Sequence, residues 1–170
     1  AEDRFKKDPS YRDYTDVIDE VWFFFDVEIK DIAKWDRRYR TINWLRKLRK
    51  DKEIRVRLLM TTGCIEYWFM LHRKFYMPSL QTVAEKEKVI AELKVEEPLY
   101  EKGNRGITSK IARDYPVAVT NARRTVEKLL AEGLPGLEDT DERNRWLQRK
   151  CLTFSNVYEA IEFLESLEKL

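Results

Sequence analysis

The sequence predicts an all-α fold, a multi-helix bundle of about eight helices, and three observations carry that expectation. Only one proline and no glycine precede Gly63, so long uninterrupted helices are permitted. Apolar residues recur at three- and four-residue spacing along much of the chain. Eight Phe, eight Tyr and five Trp need shelter, which argues against disorder.

The elements follow in order. Between Asp16 and Ile32, the positions Ile18, Trp22, Phe25, Ile29 and Ile32 form a helical stripe, widened by Val17, Val21 and Phe24. A second helix places Trp35, Tyr39, Ile42, Leu45 and Leu48 on one face. Ile54 to Leu58 alternates with period two, a strand signal, but no partner strand is evident and the segment is read as a helix start. The apolar stretch from Leu58 to Leu71, interrupted by Gly63 and Glu66, reads as a buried helix. As a helix it would be about 21 Å long, short of the roughly 30 Å hydrocarbon core of a membrane. Pro78 stops the apolar block. Thr82 with Glu85 is a capping-box signature ahead of Val89, Ile90 and Leu93. Pro98 and Gly103-Asn104-Arg105-Gly106 mark a loop, and two helices broken at Pro116 follow, the second ended by Gly133 and Pro135. Residues 134–139 read as a turn. A helix from about Asp141 to Lys150 precedes a last one from about Ser155. The chain divides loosely into a bundle over 1–97 and a second part over 98–170, which could equally form one continuous domain.

Charge is distributed unevenly. The chain is net +2 overall. Residues 1–33 hold ten acids against five bases, whereas residues 34–57 hold eleven bases against three acids. A helix over the second segment would carry Arg37, Arg38, Arg46, Arg49 and Lys50 on a positive outer face able to attract polyanions. Acidic flanks packed alongside are the alternative. Trp35 and Tyr39 lie within this run, and at helical spacing they read as core.

Much chemistry is disfavoured by composition. His72 is the single histidine, so multi-histidine metal sites are ruled out. There is no Gly-rich phosphate loop and no GxSxG motif. Glu96, Glu97 and Glu101, among Lys94 and Lys102, read as a solvated ion-paired loop. His72 reads as surface or half-buried. Cys64 and Cys151 read as buried free thiols of a reducing, intracellular compartment, with organelle import after processing left open. The first residues carry no apolar run of the signal-peptide kind.

The most informative segment is Thr108 to Leu134, TSKIARDYPVAVTNARRTVEKLLAEGL. It resembles the helix-turn-helix of winged-helix and related transcription regulators over about 27 residues. The resemblance places Ile111 and Ala112 where the first helix packs and Ala122 and Val126 on the inward side of the second. It implies that Thr120, Asn121, Arg123, Arg124 and Lys128 face nucleic acid, Asn suiting adenine and Arg guanine. The expected function is therefore a non-enzymatic nucleic-acid-binding regulatory or accessory protein, with no cofactor and no metal. The alternative is a helical structural subunit docking into a larger protein or ribonucleoprotein assembly, including the peripheral part of a membrane complex. Nucleic acid and protein partners are expected, without a membrane span.

Overall fold

A computed structural model describes residues 19–48, 53–150 and 153–168. Within them the protein is mostly helical, as expected, but it is built on a two-stranded parallel sheet. Strand β1 spans Glu20–Val27 and strand β2 spans Arg55–Thr62, in register from Glu20 opposite Arg55 to Val27 opposite Thr62. A 3-10 helix over Ile29–Lys34 and helix α1 over Trp35–Arg46 carry the chain back to start the second strand. Parallel neighbours need such a crossover, because a tight turn can only reverse direction.

Of the expected helix over 16–32, Glu20–Val27 is a strand and 29–32 belong to the 3-10 helix, while 16–18 lie outside the described residues; the segment read as a helix start at Ile54 runs into strand β2 at Arg55. Strand register explains both. Val21, Phe23, Phe25 and Val27 stand opposite Val56, Leu58, Met60 and Thr62, and α1 packs Ile42 and Leu45 onto this face. The alternate face carries Trp22 and Arg57, against which Phe163 of the C-terminal helix packs at 5.2 Å and 4.5 Å. From Val21 to Phe25 the strand is apolar on both faces, with Phe24 59% exposed on the second, so its alternation is lost in a continuous apolar run.

The far edge of β2 is closed by residues 153–156. Thr62 donates its backbone N–H to Phe154 O, Asn156 donates to Met60 O, and the Asn156 amide returns two bonds, to Leu58 O and from Met60 N–H. These satisfy strand groups that a buried edge would otherwise leave unpaired.

Gly63 ends β2 with φ +74°, and a Cβ there would stand 3.2 Å from Leu80 Cβ. Its N–H donates to Val27 O, tying the ends of the two strands together. Helix α2, Ile65–Leu71, starts at once and lies in the core with Tyr67, Met70 and Leu71 buried. It packs against α3, Val83–Glu96, and α5, Tyr115–Ala131, while α4 spans Arg105–Ala112. Helices α6, Asp141–Lys150, and α7, Tyr158–Leu167, complete seven α-helices among the described residues. None of the helices is long and apolar enough to cross a membrane within the described residues.

The capping box at Thr82 is formed. Thr82 Oγ1 accepts from Glu85 N–H, and Glu85 Oε2 accepts from Thr82 N–H. Thr82→Ala is expected to lower stability by about 1 kcal/mol, read as a fall of roughly 2–4 °C in Tm. Hydrogen bonds from Ser79 and the Thr82 backbone hold the Glu85 carboxyl down at about 2. That carboxylate's contribution is present above the ordinary value of 4.5 and is lost as pH falls toward 2.

Candidate functional site

Ligand sites in open parallel sheets lie where the strands end at their carboxyl sides. Here that end gathers carboxylates. Asp26 is the penultimate residue of β1, Glu28 follows the strand directly, and Glu66 sits in the first turn of α2. The arrangement follows from Gly63, whose left-handed backbone turns the chain at the end of β2 directly into α2.

Glu66 is 1% exposed. Its Oε1 accepts from Tyr100 Oη at 3.0 Å and lies 3.5 Å from Lys102 Nζ. Its Oε2 is shielded from water and meets no N–H or O–H donor among the described residues, the Cys64 thiol being the weak donor beside this carboxylate. An unmet carboxylate oxygen in a dry site is costly, because little replaces the water it has lost. Asp26 presents to solvent as a residue, yet crowding by protein atoms, then the Glu66 carboxylate, pushes its carboxyl above the usual range. Burial, with Glu66 beside it, likewise raises the Cys64 thiol to about 11, so Cys64 is an unreactive thiol here. Glu28 goes the other way, held low by hydrogen bonds from Lys30 and Lys86. No three His, Cys, Asp or Glu side chains among the described residues form a ready-made metal cage. What exists at this strand end, the carboxylate mouth, is Asp26 within electrostatic reach of Glu66 and Glu28, and one Glu66 oxygen closed off from water.

The sequence-predicted contact residues lie elsewhere. On α5, Thr120, Arg123, Arg124 and Lys128 are exposed. Thr120 Oγ1 donates to Pro116 O, Arg123 Nε donates to Glu162 at 2.6 Å, and Arg124 and Lys128 stand over the Phe75 ring at 4.3 and 5.0 Å. Asn121 is not at the surface. It is 7% exposed, and its Nδ2 donates to Leu71 O at 2.8 Å, so its amide ties α5 to α2 rather than presenting an edge outward. Asn121→Ala is expected to cost about 1–3 kcal/mol by orphaning that carbonyl, measurable as a shift in urea midpoint.

On α1, Arg37 is exposed, whereas Arg38 lies 3.4 Å from Asp31 and over the Phe25 ring. Arg46 donates two hydrogen bonds to Asp141, at 2.9 and 2.8 Å. Acidic neighbours therefore neutralise part of the basic run. Arg49, Lys50 and Cys151 lie outside the described residues. Trp35, 1% exposed, and Tyr39 pack ring against ring at 6.0 Å, in the core as their spacing predicts.

Two minor expectations are corrected. Glu97 is 6% exposed and accepts from Arg73 and Lys110, so it is a buried tie between α2 and α4 rather than a solvated loop residue. His72 is 3% exposed, with Nδ1 at 3.0 Å from Trp68 O, and burial holds its pKa down.

Sequence reasoning missed the carboxylate mouth altogether. The available signal was a glutamate inside the apolar run 58–71, since a charged residue there is buried only with a reason.

The family model described as RloB-like protein matches residues 2–164, nearly the whole chain. No curated protein and no solved structure matches.

Proposed function

Given that the chain belongs to the RloB-like protein family, we propose that it binds nucleic acid and acts on its phosphate backbone at the carboxylate mouth, through a divalent cation. The observation that carries this reading is the buried Glu66 oxygen without an N–H or O–H donor, beside an Asp26 carboxyl whose charge is held back. A divalent cation satisfies both. Magnesium takes one or two protein carboxylates and fills its remaining positions with water and substrate phosphate. Glu66 Oε2 would be one ligand of such a cation, with Asp26 or Glu28 supplying the second. Lys86 and Lys102 pair with Glu28 and Glu66, and were a cation held by those carboxylates, the two ammonium groups would be free to meet phosphate oxygens. When bound, the cation polarises a phosphoryl oxygen and activates water. Arg37, Arg124 and Lys128 supply the longer-range, sequence-independent attraction. Asn121 plays no part in base reading.

The test is fluorescence anisotropy with labelled double-stranded DNA and single-stranded RNA at ~50 and ~200 mM salt, with magnesium, manganese or EDTA, followed on gels for strand cleavage. Binding that weakens with salt, strengthens with divalent cation and falls in Arg124→Glu/Lys128→Glu is expected. Absence of binding at the lower salt with cation present ends this reading.

A second reading, a helical subunit docking into a larger assembly, draws support from Leu164 and Leu167, 55% and 48% exposed on α7. It predicts concentration-dependent association in sedimentation runs that Leu164→Glu abolishes.

A further inference from the structure

A groove of about 380 Å³ opens beside β1, between the strand and α1, well within the size range of small-ligand pockets. Its walls are mainly aromatic and aliphatic, from Phe23, Phe25, Trp35 and Leu58, and its polar lining comes from Lys34, Arg37, Arg38 and Thr41. Among the described residues no carboxylate lines it. Asp31, the nearest neutralising acid, is shared between Lys34 at 2.8 Å and Arg38 at 3.4 Å. Among the described residues three cations line the groove, and Asp31 pairs with two of them.

Two further details narrow the occupant. Trp35 Nε1 and Arg38 Nη1 are both shielded from water and meet no acceptor. Trp35 is 1% exposed, so its N–H is a deep donor and Arg38 a shallower one. Both unmet groups are donors, so the missing partner brings acceptors. Arg38 stands over the Phe25 ring, 5.0 Å from its centroid, so the aromatic wall already holds a cation against its face, beside the Phe23 ring. A simple acyl chain would fill the apolar walls but leave the deep indole N–H unmet. A planar heterocycle carrying a phosphate meets every requirement at once. Its ring lies against Phe23 and Phe25, a ring acceptor takes the Trp35 N–H, and the phosphate sits at Arg37 and Arg38.

We propose that this groove binds a nucleoside monophosphate. The inference is independent of the carboxylate mouth, because it needs neither Glu66 nor a metal ion.

The probe is N-methylanthraniloyl-AMP added to the full chain in EDTA, which silences any binding through a divalent cation. Fluorescence should saturate at one probe per chain, and AMP should displace it at least tenfold better than adenosine, inorganic phosphate or decanoate. Trp35→Phe, which removes the N–H and keeps an aromatic ring, should weaken binding at least tenfold. Arg37→Glu, at an exposed position that folding does not depend on, should do the same with unchanged Tm. No saturable binding overturns the proposal, as does binding insensitive to both variants. Preferential displacement by decanoate also overturns it, by assigning the groove to apolar acids.

Discussion

Arg143→Ala is expected to destabilise the fold by about 3–5 kcal/mol, the cost of stripping one partner from a buried ion pair. Arg143 is 2% exposed, and it donates to both Glu159 oxygens, at 2.8 and 3.1 Å, and to Leu137 O. It thus ties α6, α7 and the turn between α5 and α6. Its removal leaves Glu159 enclosed, with Asp139 repelling it. The deficit depends on pH with a definite sign. Burial already raises the Glu159 carboxyl above its ordinary 4.5, with Arg143 opposing that shift. Without Arg143 it rises further. A raised acid contributes stability that is fully present below the unfolded value and lost as pH rises through the folded one. The variant's deficit will therefore be widest near neutrality and narrowest at about pH 3, where Glu159 is protonated in both states. Urea midpoints across that range test this. Arg143→Ala/Glu159→Leu should recover most of the loss. If the double variant is as weak as the single one, the ion pair is not the source.

Glu66→Gln carries the largest functional effect. Loss of cation-dependent action on nucleic acid by at least a hundredfold is expected, about 2.7 kcal/mol in barrier height. Its effect on stability runs the opposite way. Gln keeps an acceptor for Tyr100 and removes a buried charge, while the lost Lys102 contact is worth little because that ammonium is 76% exposed. In EDTA the variant should melt no lower than the parent. Adding magnesium should raise the parent's Tm, since binding to the folded state alone stabilises it, and leave the variant unmoved. Asp26 adds a pH signature. Its carboxyl is raised above the ordinary 3.8, so protons compete with the cation for it, and cation affinity should climb as pH rises through that raised value. Asp26→Asn should flatten that climb. An unaffected Glu66→Gln would remove the carboxylate mouth from the mechanism.

Helices that stand at the surface were legible from their own residues. The Thr82–Glu85 cap, the Asp141–Lys150 helix and the stop at Gly133 depend on local chemistry, and local sequence states it. The sheet did not. Trp22-Phe23-Phe24-Phe25 is apolar at every position, so it contains spacings of three and four by arithmetic alone. The alternation at 54–58 was a true strand signal, discarded because its partner lay more than thirty residues away, disguised as a helix. The carboxylate mouth went unseen for a related reason. Asp26 and Glu28 contributed to a segmental charge excess, and Glu66 looked like an interruption of an apolar run. Only the parallel pairing sets them side by side. Asn121 shows the converse, a residue whose type suits base contact but whose helical phase, shared with Ala118, Thr125 and Ala122, turns it inward.

The clamp formed by residues 153–156 also sets a schedule for synthesis. Met60 waits for Asn156, 96 positions later, and at 5–20 residues per second that interval lasts roughly 5–20 s. Throughout it, the outer margin of Arg55-Val-Arg-Leu-Leu-Met-Thr-Thr is a bare template for any other extended chain. Arg55 and Arg57 guard its entrance by charge, but Leu58 to Met60 have no such guard. A nascent chain of this protein is thus most vulnerable during its second half, and a message cut short before Phe154 yields a product whose sticky margin never closes.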